Sequence, residues 1–184
     1  MRLTYVDYWD IHHRKSTRLS GRDYAADGMY FVTICTVGRE HLLGEIVCGN
    51  MVLNEFGEIA DDCWRELPQH FPFVGIDAFV VMPNHVHGIL EFGVPPGPEC
   101  RGTACRAPTR PRAFRDMVPG SLASVIAAFK SAATKRINIL RNSCGGIVWQ
   151  RNFHDHIIRN ADELGRIRHY IAQNPARWSI KHHT

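Results

Sequence analysis

The sequence predicts an α+β fold in which helices pack against an antiparallel sheet, and two observations carry this prediction. First, short segments rich in aromatic and β-branched residues alternate with segments whose apolar residues recur at helical spacing. Second, strand-like segments follow one another in pairs, separated by only two turn-forming residues, which is typical of hairpins. A chain of 184 residues can bury such a sandwich core in one domain.

In the first half of the chain, the pattern predicts a strand, a hairpin and a helix. Residues 29–36 read MYFVTICT, a β-branched and aromatic run that favours a strand. Residues 45–53 predict a hairpin with its turn at Gly49 and Asn50. Residues 54–67 predict a helix, because an N-cap asparagine precedes apolar residues at helical spacing and a proline follows.

The middle of the chain predicts a second hairpin and a long loop. Residues 74–82 and 85–92 are strand-like, and Pro83 and Asn84 between them favour a tight turn. Residues 93–119 are rich in proline, glycine and arginine, which favours a flexible inserted loop.

The last part of the chain predicts two helices around one strand. A helix is expected from an N-cap at Ser121 to residue 140, with an apolar stripe along one side. Residues 147–153 read as a strand, and a last helix is expected over 161–173, stopped by Pro175. We therefore expect a basic arm in 1–27, one domain in 28–178 and a tail in 179–184.

The composition indicates a cytoplasmic protein without a membrane partner. No run of 18 apolar residues is present, and the N-terminus does not resemble a secretory signal. The six cysteines show no CxxC spacing, which favours reduced thiols over structural zinc or disulfides.

Charge is distributed unevenly along the chain. Residues 28–100 carry 2 basic and 10 acidic side chains, a net charge of −8, whereas 101–184 carry 15 basic and 4 acidic, a net charge of +11. A concentrated positive half favours binding of a polyanion such as nucleic acid. The alternative is a solvated basic surface.

Two histidines stand two residues apart in the second strand of the middle hairpin. Alternation along a strand places His85 and His87 on one face, where two imidazoles can bind one divalent metal. The alternative is a pair of half-buried strand histidines without a ligand.

The last predicted helix carries a candidate nucleophile. Tyr170 and Asn174 are four residues apart and share a helix face, with Arg166 one turn earlier. A phenol with a pKa near 10 attacks a phosphate at neutral pH only with help from a metal or from arginines. The alternative is a tyrosine ring that packs at the edge of the core.

Four sequence motifs in a fixed order resemble one protein family. They are MPNHVHGIL at 82–90, FKS at 129–131, VWQRNFHDH at 148–156 and YIAQNP at 170–175. Together they resemble the single-tyrosine HUH transposases, most closely the REP-associated tyrosine transposases. The resemblance covers most of residues 12–178 and excludes the loop over 93–119.

The resemblance implies a ferredoxin-like (RRM-like) antiparallel sheet with helices packed on one face. It implies a metal-dependent transposase that cleaves and rejoins single-stranded DNA near hairpin repeats through a 5′-phosphotyrosine. By position, Tyr170 is the nucleophile, and His85, His87 and Asn174 bind Mg²⁺ or Mn²⁺. Many relatives have glutamine where Asn174 stands. The expected partners are single-stranded DNA and DNA hairpins, and a monomer is favoured over a dimer.

Basic residues supply the expected DNA contacts. One group lies in the positive half of the chain and the other in the arm: Lys130, Lys135, Arg136, Arg151 and Arg159, and Arg14, Lys15 and Arg18. His154 and His156 form a rival pair with metal-ligand spacing, which we interpret as structural or DNA-facing. Two other functions stay open, a non-catalytic nucleic-acid-binding module and a metal-dependent phosphodiesterase that uses water.

Overall fold

The computed structural model describes residues 27–93 and 120–181, with side chains to Trp178. The predicted arm with Arg14, Lys15 and Arg18, nearly all of the predicted loop and the end of the tail lie outside the described residues.

Six strands form two sheets in the described part of the chain. Their bounds are β1 Gly28–Cys35, β2 Gly44–Val47, β3 Asn50–Leu53, β4 Val74–Met82, β5 His85–Phe92 and β6 His154–Ile158. The main sheet has the order β4-β5-β1-β6 with every pair antiparallel, and β2 and β3 form a separate hairpin. This confirms the ferredoxin-like antiparallel sheet. The β2–β3 turn lies at Cys48 and Gly49, one residue before its predicted place.

The helices begin where their N-caps predict. Asn54 Oδ1 accepts hydrogen bonds from two backbone amides of the first helix, and Ser121 caps the third helix. Asn160 Oδ1 accepts from the Glu163 amide at the start of the last helix. The bounds are α1 Glu55–Arg65, α2 Leu67–His70, α3 Leu122–Leu140 and α4 Ala161–Lys181. No described helix is both long and apolar enough to cross a membrane.

Strand alternation gives the main sheet two different faces. On one face, Tyr30, Val32 and Ile34 of β1 belong to the large core with α1 and α3. On the other face, Phe31 packs with Ile167 of α4 in a smaller core. The expectation that the helices pack on one face therefore holds for α1 and α3 but not for α4.

The predicted strand over 147–153 is wrong. Within the described chain, only Trp149 of this segment forms a bridge, to Thr36 just beyond β1. The carbonyls of residues 150–152 instead accept hydrogen bonds from Lys130 Nζ, which removes them from any ladder. The strand begins at His154, where alternation between the two faces resumes.

The predicted stop at Pro175 is also wrong, because α4 continues to Lys181. A proline inside a helix removes one hydrogen bond and costs about 3 kcal/mol. Packing of α4 against the β2–β3 hairpin, where Ala176 lies beside Gly49, offsets this cost. The helix is thereby two turns longer than the sequence predicts.

Candidate active site

The two histidines of β5 lie side by side on the face of the sheet that α4 covers. In the register with β1, His87 is opposite Thr33 and His85 is opposite Cys35. The imidazole centroids are 4.4 Å apart, with an angle of 73° between the rings. The shared face that alternation predicts is therefore present.

A hydrogen bond at Nδ1 orients each imidazole. His87 Nδ1 is 2.8 Å from Thr33 Oγ1, and His85 Nδ1 is 2.7 Å from Asn84 Oδ1. Metal-binding histidines commonly use the second ring nitrogen in this way, which fixes the ring while the first nitrogen binds. Nε2 of each imidazole is thus the atom placed to bind a ligand.

Burial keeps both imidazoles neutral at physiological pH. It lowers the pKa of His85 to about 4, with a smaller effect from Arg39. It lowers the pKa of His87 well below its ordinary value, and the neighbouring His85 adds to the shift. Neutral imidazole is the form that binds a metal, so neither histidine must lose a proton first.

Helix α4 places Tyr170 against this pair. Its hydroxyl oxygen is 3.3 Å from His87 Nε2, and the two ring centroids are 5.3 Å apart. Ile167 and Ile171 on the same helix are buried against Phe31 and Ile89 of the sheet. Residues 83 positions apart in sequence therefore meet through the packing of α4 on β5.

Asn174 lies one turn after Tyr170 on the same face of α4. Another turn on, Trp178 contacts His85 with ring centroids 5.6 Å apart. Asn174 is only 7% exposed, and no hydrogen bond joins its amide to another described residue. A largely buried amide residue, one helical turn from each of two side chains that contact the histidines, is placed to act as a metal ligand.

The donor set fits a divalent cation. The amide oxygen suits both Mg²⁺ and Mn²⁺, whereas imidazole nitrogens suit transition metals better than Mg²⁺, so the donor set favours Mn²⁺ of the two expected cations. In the parts of the chain that the structure describes, no cluster of three or more His, Cys, Asp or Glu side chains could hold a metal. The candidate donors His85, His87 and Asn174 are neutral, so they would leave the charge of a bound cation available to an anionic substrate.

Helix α4 is tied to both edges of the sheet. Arg168 makes a two-pronged ion pair with Asp77 of β4, with Nε 2.8 Å from Oδ1. Glu163 accepts from the Arg159 amide and lies 2.7 Å from His156 Nε2 of β6. These contacts fix the helix, and with it Tyr170, above the histidines of the same chain.

The rival pair on β6 has a different setting. His154 and His156 lie opposite Thr33 and Phe31 and so share the face of His87. His156 Nε2 is engaged with Glu163, and His154 is exposed. This arrangement is consistent with a structural role for His156.

Three of the expected DNA contacts line one groove. A groove of about 560 Å³ between α3 and residues 145–151 is bordered by Lys130, Lys135 and Arg151. Lys130 is partly committed to the protein, since its ammonium donates to the carbonyls of Gln150 and Asn152, and burial lowers its pKa to about 8. Lys135 and Arg151 supply the accessible charge.

The remaining expected DNA contacts stand elsewhere. Arg136 forms an ion pair with Glu66 that joins α3 to the end of α1. Arg159 is exposed at the junction of β6 and α4, outside the groove.

Three residues near the site were missed in the sequence. Thr33 supports His87 from the neighbouring strand, and only the strand register reveals this pairing. Trp178 and His41 contact each other beside His85, with ring centroids 5.5 Å apart. Trp178 stands eight residues after Tyr170, so a helix continued through Pro175 would have placed it on the same face.

Comparison with known proteins gives a relative and a structural neighbour. No family model matches the chain. An uncharacterised protein from Haemophilus influenzae is 39% identical over 171 residues, or 91% of either chain. A solved structure of a REP-associated tyrosine transposase bound to a REP hairpin has a TM-score of 0.56 at 20% identity, covering 87% of this chain and 74% of that chain. The chain therefore belongs to the same family as the Haemophilus influenzae protein and shares the fold of that transposase.

Proposed function

We propose that the protein is a metal-dependent DNA transposase that cleaves and rejoins single-stranded DNA with Tyr170 as nucleophile. The observation that carries the proposal is the 3.3 Å approach of the Tyr170 hydroxyl to His87 Nε2, one member of a paired-histidine site. The fold shared with a REP-associated tyrosine transposase supports it.

The cleavage step is a transfer of one phosphodiester bond. The Tyr170 oxygen attacks the phosphorus, and the bond from phosphorus to the 3′-oxygen of the preceding nucleotide breaks. The phenolic proton is lost, and a proton is taken up by the leaving 3′-oxygen, so the products are a 5′-phosphotyrosine and a free 3′-hydroxyl. Attack by a 3′-hydroxyl on the phosphotyrosine reverses the step and rejoins the strand without another energy source.

The chain's own residues position the reacting groups. The anchored α4 holds the phenol beside the histidine pair, and Thr33 and Asn84 fix the two imidazoles.

A divalent cation, Mg²⁺ or Mn²⁺, would be held by Nε2 of His85, Nε2 of His87 and the amide oxygen of Asn174. When bound, the cation neutralises charge on the phosphate and favours the ionised phenol. The neutral donor set and the Nδ1 hydrogen bonds suit this role.

The proposed substrate is single-stranded DNA beside a hairpin. The solved neighbour is bound to a REP hairpin, and the groove with Lys135 and Arg151 offers this chain a basic surface for a DNA backbone. Residues 148–150, which form one wall of the groove, hydrogen-bond to residues 35–37 at the end of β1. That end of β1 pairs with His85, so the groove is connected to the active-site end of the sheet. We propose that a monomer suffices, because Tyr170 meets the histidines of its own chain.

A denaturing gel tests the proposal. The protein is incubated with Mn²⁺ and end-labelled single-stranded oligonucleotides that carry a hairpin and a randomised flank. We expect a covalent protein–DNA species that disappears in Tyr170→Phe and in His87→Ala. His154→Ala is the matched control and should retain the species.

The rival functions give different gels. A phosphodiesterase that uses water yields cut DNA without a covalent species, and a non-catalytic binding module yields neither. Cleavage that survives His85→Ala combined with His87→Ala but is lost in His154→Ala would move the metal site to β6.

A further inference from the structure

Trp178 and His41 form an aromatic pair beside His85, one of the two proposed metal-binding histidines. Trp178 is centred 5.6 Å from His85 with a ring angle of 40°, and 5.5 Å from His41 with a ring angle of 59°. Trp178 is half-buried, and His41 is exposed. Neither side chain takes part in the proposed cleavage step.

The fold holds this cluster at one end of the site. Trp178 is eight residues after Tyr170 on α4, so it follows the nucleophile along the same face at a distance of about 12 Å. The helix reaches this position only because it continues through Pro175 and packs against the β2–β3 hairpin. His41 comes from the segment between residues 39 and 44, just before that hairpin.

We infer that Trp178, flanked by His41, is a stacking platform for a base of the single-stranded DNA next to the cleaved phosphodiester. The inference rests on the proposed function for its choice of ligand. Every base has an aromatic face, and proteins that bind single strands commonly stack bases on tryptophan and histidine. A separation of about 12 Å corresponds to about three stacked nucleotides, or fewer in an extended strand.

The aromatic rings at this position suit the flat face of a base. His41 and His85 each present an imidazole ring to Trp178, with centroids 5.5 and 5.6 Å from the indole. The accessible cations expected to bind phosphate, Lys135 and Arg151, lie in the groove beside α3. Base and backbone would therefore be bound by different surfaces.

Binding to the Tyr170→Phe protein in EDTA tests the inference without cleavage. The probes are hairpin oligonucleotides with 2-aminopurine placed in turn at each flanking position, since stacking on an indole quenches its fluorescence. We expect quenching at one position close to the cleavage point. Trp178→Ala should abolish that quenching and weaken binding about 5- to 150-fold, whereas Trp178→Phe should retain most of both.

Two further measurements separate stacking from a structural role. His41→Ala alters an exposed side chain and should reduce the quenching at the same position. The affinity for Mn²⁺, measured without DNA, should change little in Trp178→Ala. If Trp178→Ala alters Mn²⁺ affinity but leaves DNA affinity and quenching unchanged, Trp178 only covers His85 and the inference is wrong.

The outcomes also separate this inference from the proposed function. Quenching that depends on Trp178, in a protein that forms no covalent species, supports the platform and contradicts the transposase. A covalent species formed at a normal rate by Trp178→Ala, without a quenched position in the parent, supports the transposase and contradicts the platform. Absence of single-stranded DNA binding contradicts both.

Discussion

At the scale of single residues, the site depends on the atoms that fix the imidazoles. Thr33 stands opposite His87 on β1 and places its hydroxyl 2.8 Å from His87 Nδ1. Valine has nearly the same shape but lacks the hydroxyl, so it would leave the ring free to reorient. The residue is thus a positioning residue, because it acts through the histidine.

We expect Thr33→Val to weaken Mn²⁺ binding by about 10- to 100-fold, as is typical when the hydrogen bond behind a metal-binding histidine is lost. Isothermal titration of the purified variant with Mn²⁺ measures the effect. Tyr170→Phe is the control, since it keeps all the proposed metal ligands and should bind Mn²⁺ like the parent. Equal affinities for Thr33→Val and the parent would show that His87 does not need this support.

Gly88, which directly follows His87, is another single residue on which the packing of β5 depends. It points to the α1 face, and a Cβ there would lie 2.3 Å from Cζ2 of Trp64, a fully buried core side chain. The requirement for glycine at this position comes from Trp64, which lies 24 residues earlier in the chain.

We expect Gly88→Ala to lower the free energy of unfolding by about 1–3 kcal/mol through overpacking. Urea unfolding measures the change. Gly165→Ala is the matched control, because Gly165 lies in α4 and no described atom outside its own stretch of helix lies within 4 Å of the added methyl group. That substitution should stabilise the protein by about 0.5–1 kcal/mol. A Gly88→Ala protein as stable as the parent would mean that the indole moves aside without cost.

At the scale of elements, contacts in the first turn of α4 fix the helix that carries Tyr170, the proposed nucleophile. Asn160 caps the Glu163 amide, and Glu163 in turn accepts from the Arg159 amide and pairs with His156. The Arg159 amide, followed by His156, lowers the pKa of Glu163 below its ordinary value of 4.5. A carboxyl with a lowered pKa in the folded state stabilises the fold above pH 4.5 and loses this effect as the pH falls through its folded-state pKa.

We therefore expect Glu163→Gln to be less stable than the parent at pH 7 and to approach the parent's stability as the pH falls below 4.5. Thermal unfolding of both proteins across this pH range measures the difference. A difference that stays constant with pH would mean that the carboxylate charge does not hold the helix.

Elements with local signals were predictable from sequence, whereas those that depend on distant contacts were not. Asn54 and Ser121 mark the starts of their helices in the sequence, because an N-cap side chain bonds to backbone amides only two or three residues later. The segment 147–153 has a strand-like composition, but the carbonyls of residues 150–152 accept hydrogen bonds from Lys130, twenty or more residues earlier. Pro175 is a valid local stop signal that packing on the β2–β3 hairpin overrides.

The site was predictable in its residue types but not in its geometry. Alternation places His85 and His87 on one face, and helical spacing places Asn174 beside Tyr170. That these two faces meet depends on α4 crossing the sheet on the side away from α1 and α3, which no local pattern encodes.

At the scale of the whole molecule, part of the positive charge of residues 101–184 is gathered on one surface. The basic second half contributes Lys135 and Arg151 to the groove beside α3, on the opposite side of the sheet from Tyr170. DNA that reaches both regions would pass around the end of β1. The groove would then bind the backbone while α4 and the histidines act on the strand.

We expect Lys135→Ala and Arg151→Ala each to weaken DNA binding and to reduce the slope of log affinity against log salt by about 0.7–0.9. Binding of the hairpin oligonucleotides at several salt concentrations measures the slope. Arg65→Ala is the control, because Arg65 is an exposed arginine on α1 paired with Asp61, away from the groove. Unchanged slopes for both groove variants would exclude the groove as a DNA-binding surface.

We propose that Tyr170 becomes covalently bonded to the 5′-phosphate of the cut strand. Mapping this covalent bond tests the proposal. The covalent species formed with Mn²⁺ is digested with trypsin and nuclease, and the peptides are sequenced by mass spectrometry. Trypsin releases residues 169–177 as one peptide with a single tyrosine. We expect a phosphonucleotide on Tyr170, and we expect the protein to retain label from the 3′ end of the DNA only. A phosphonucleotide on another residue, or retention of the 5′ label, would contradict it.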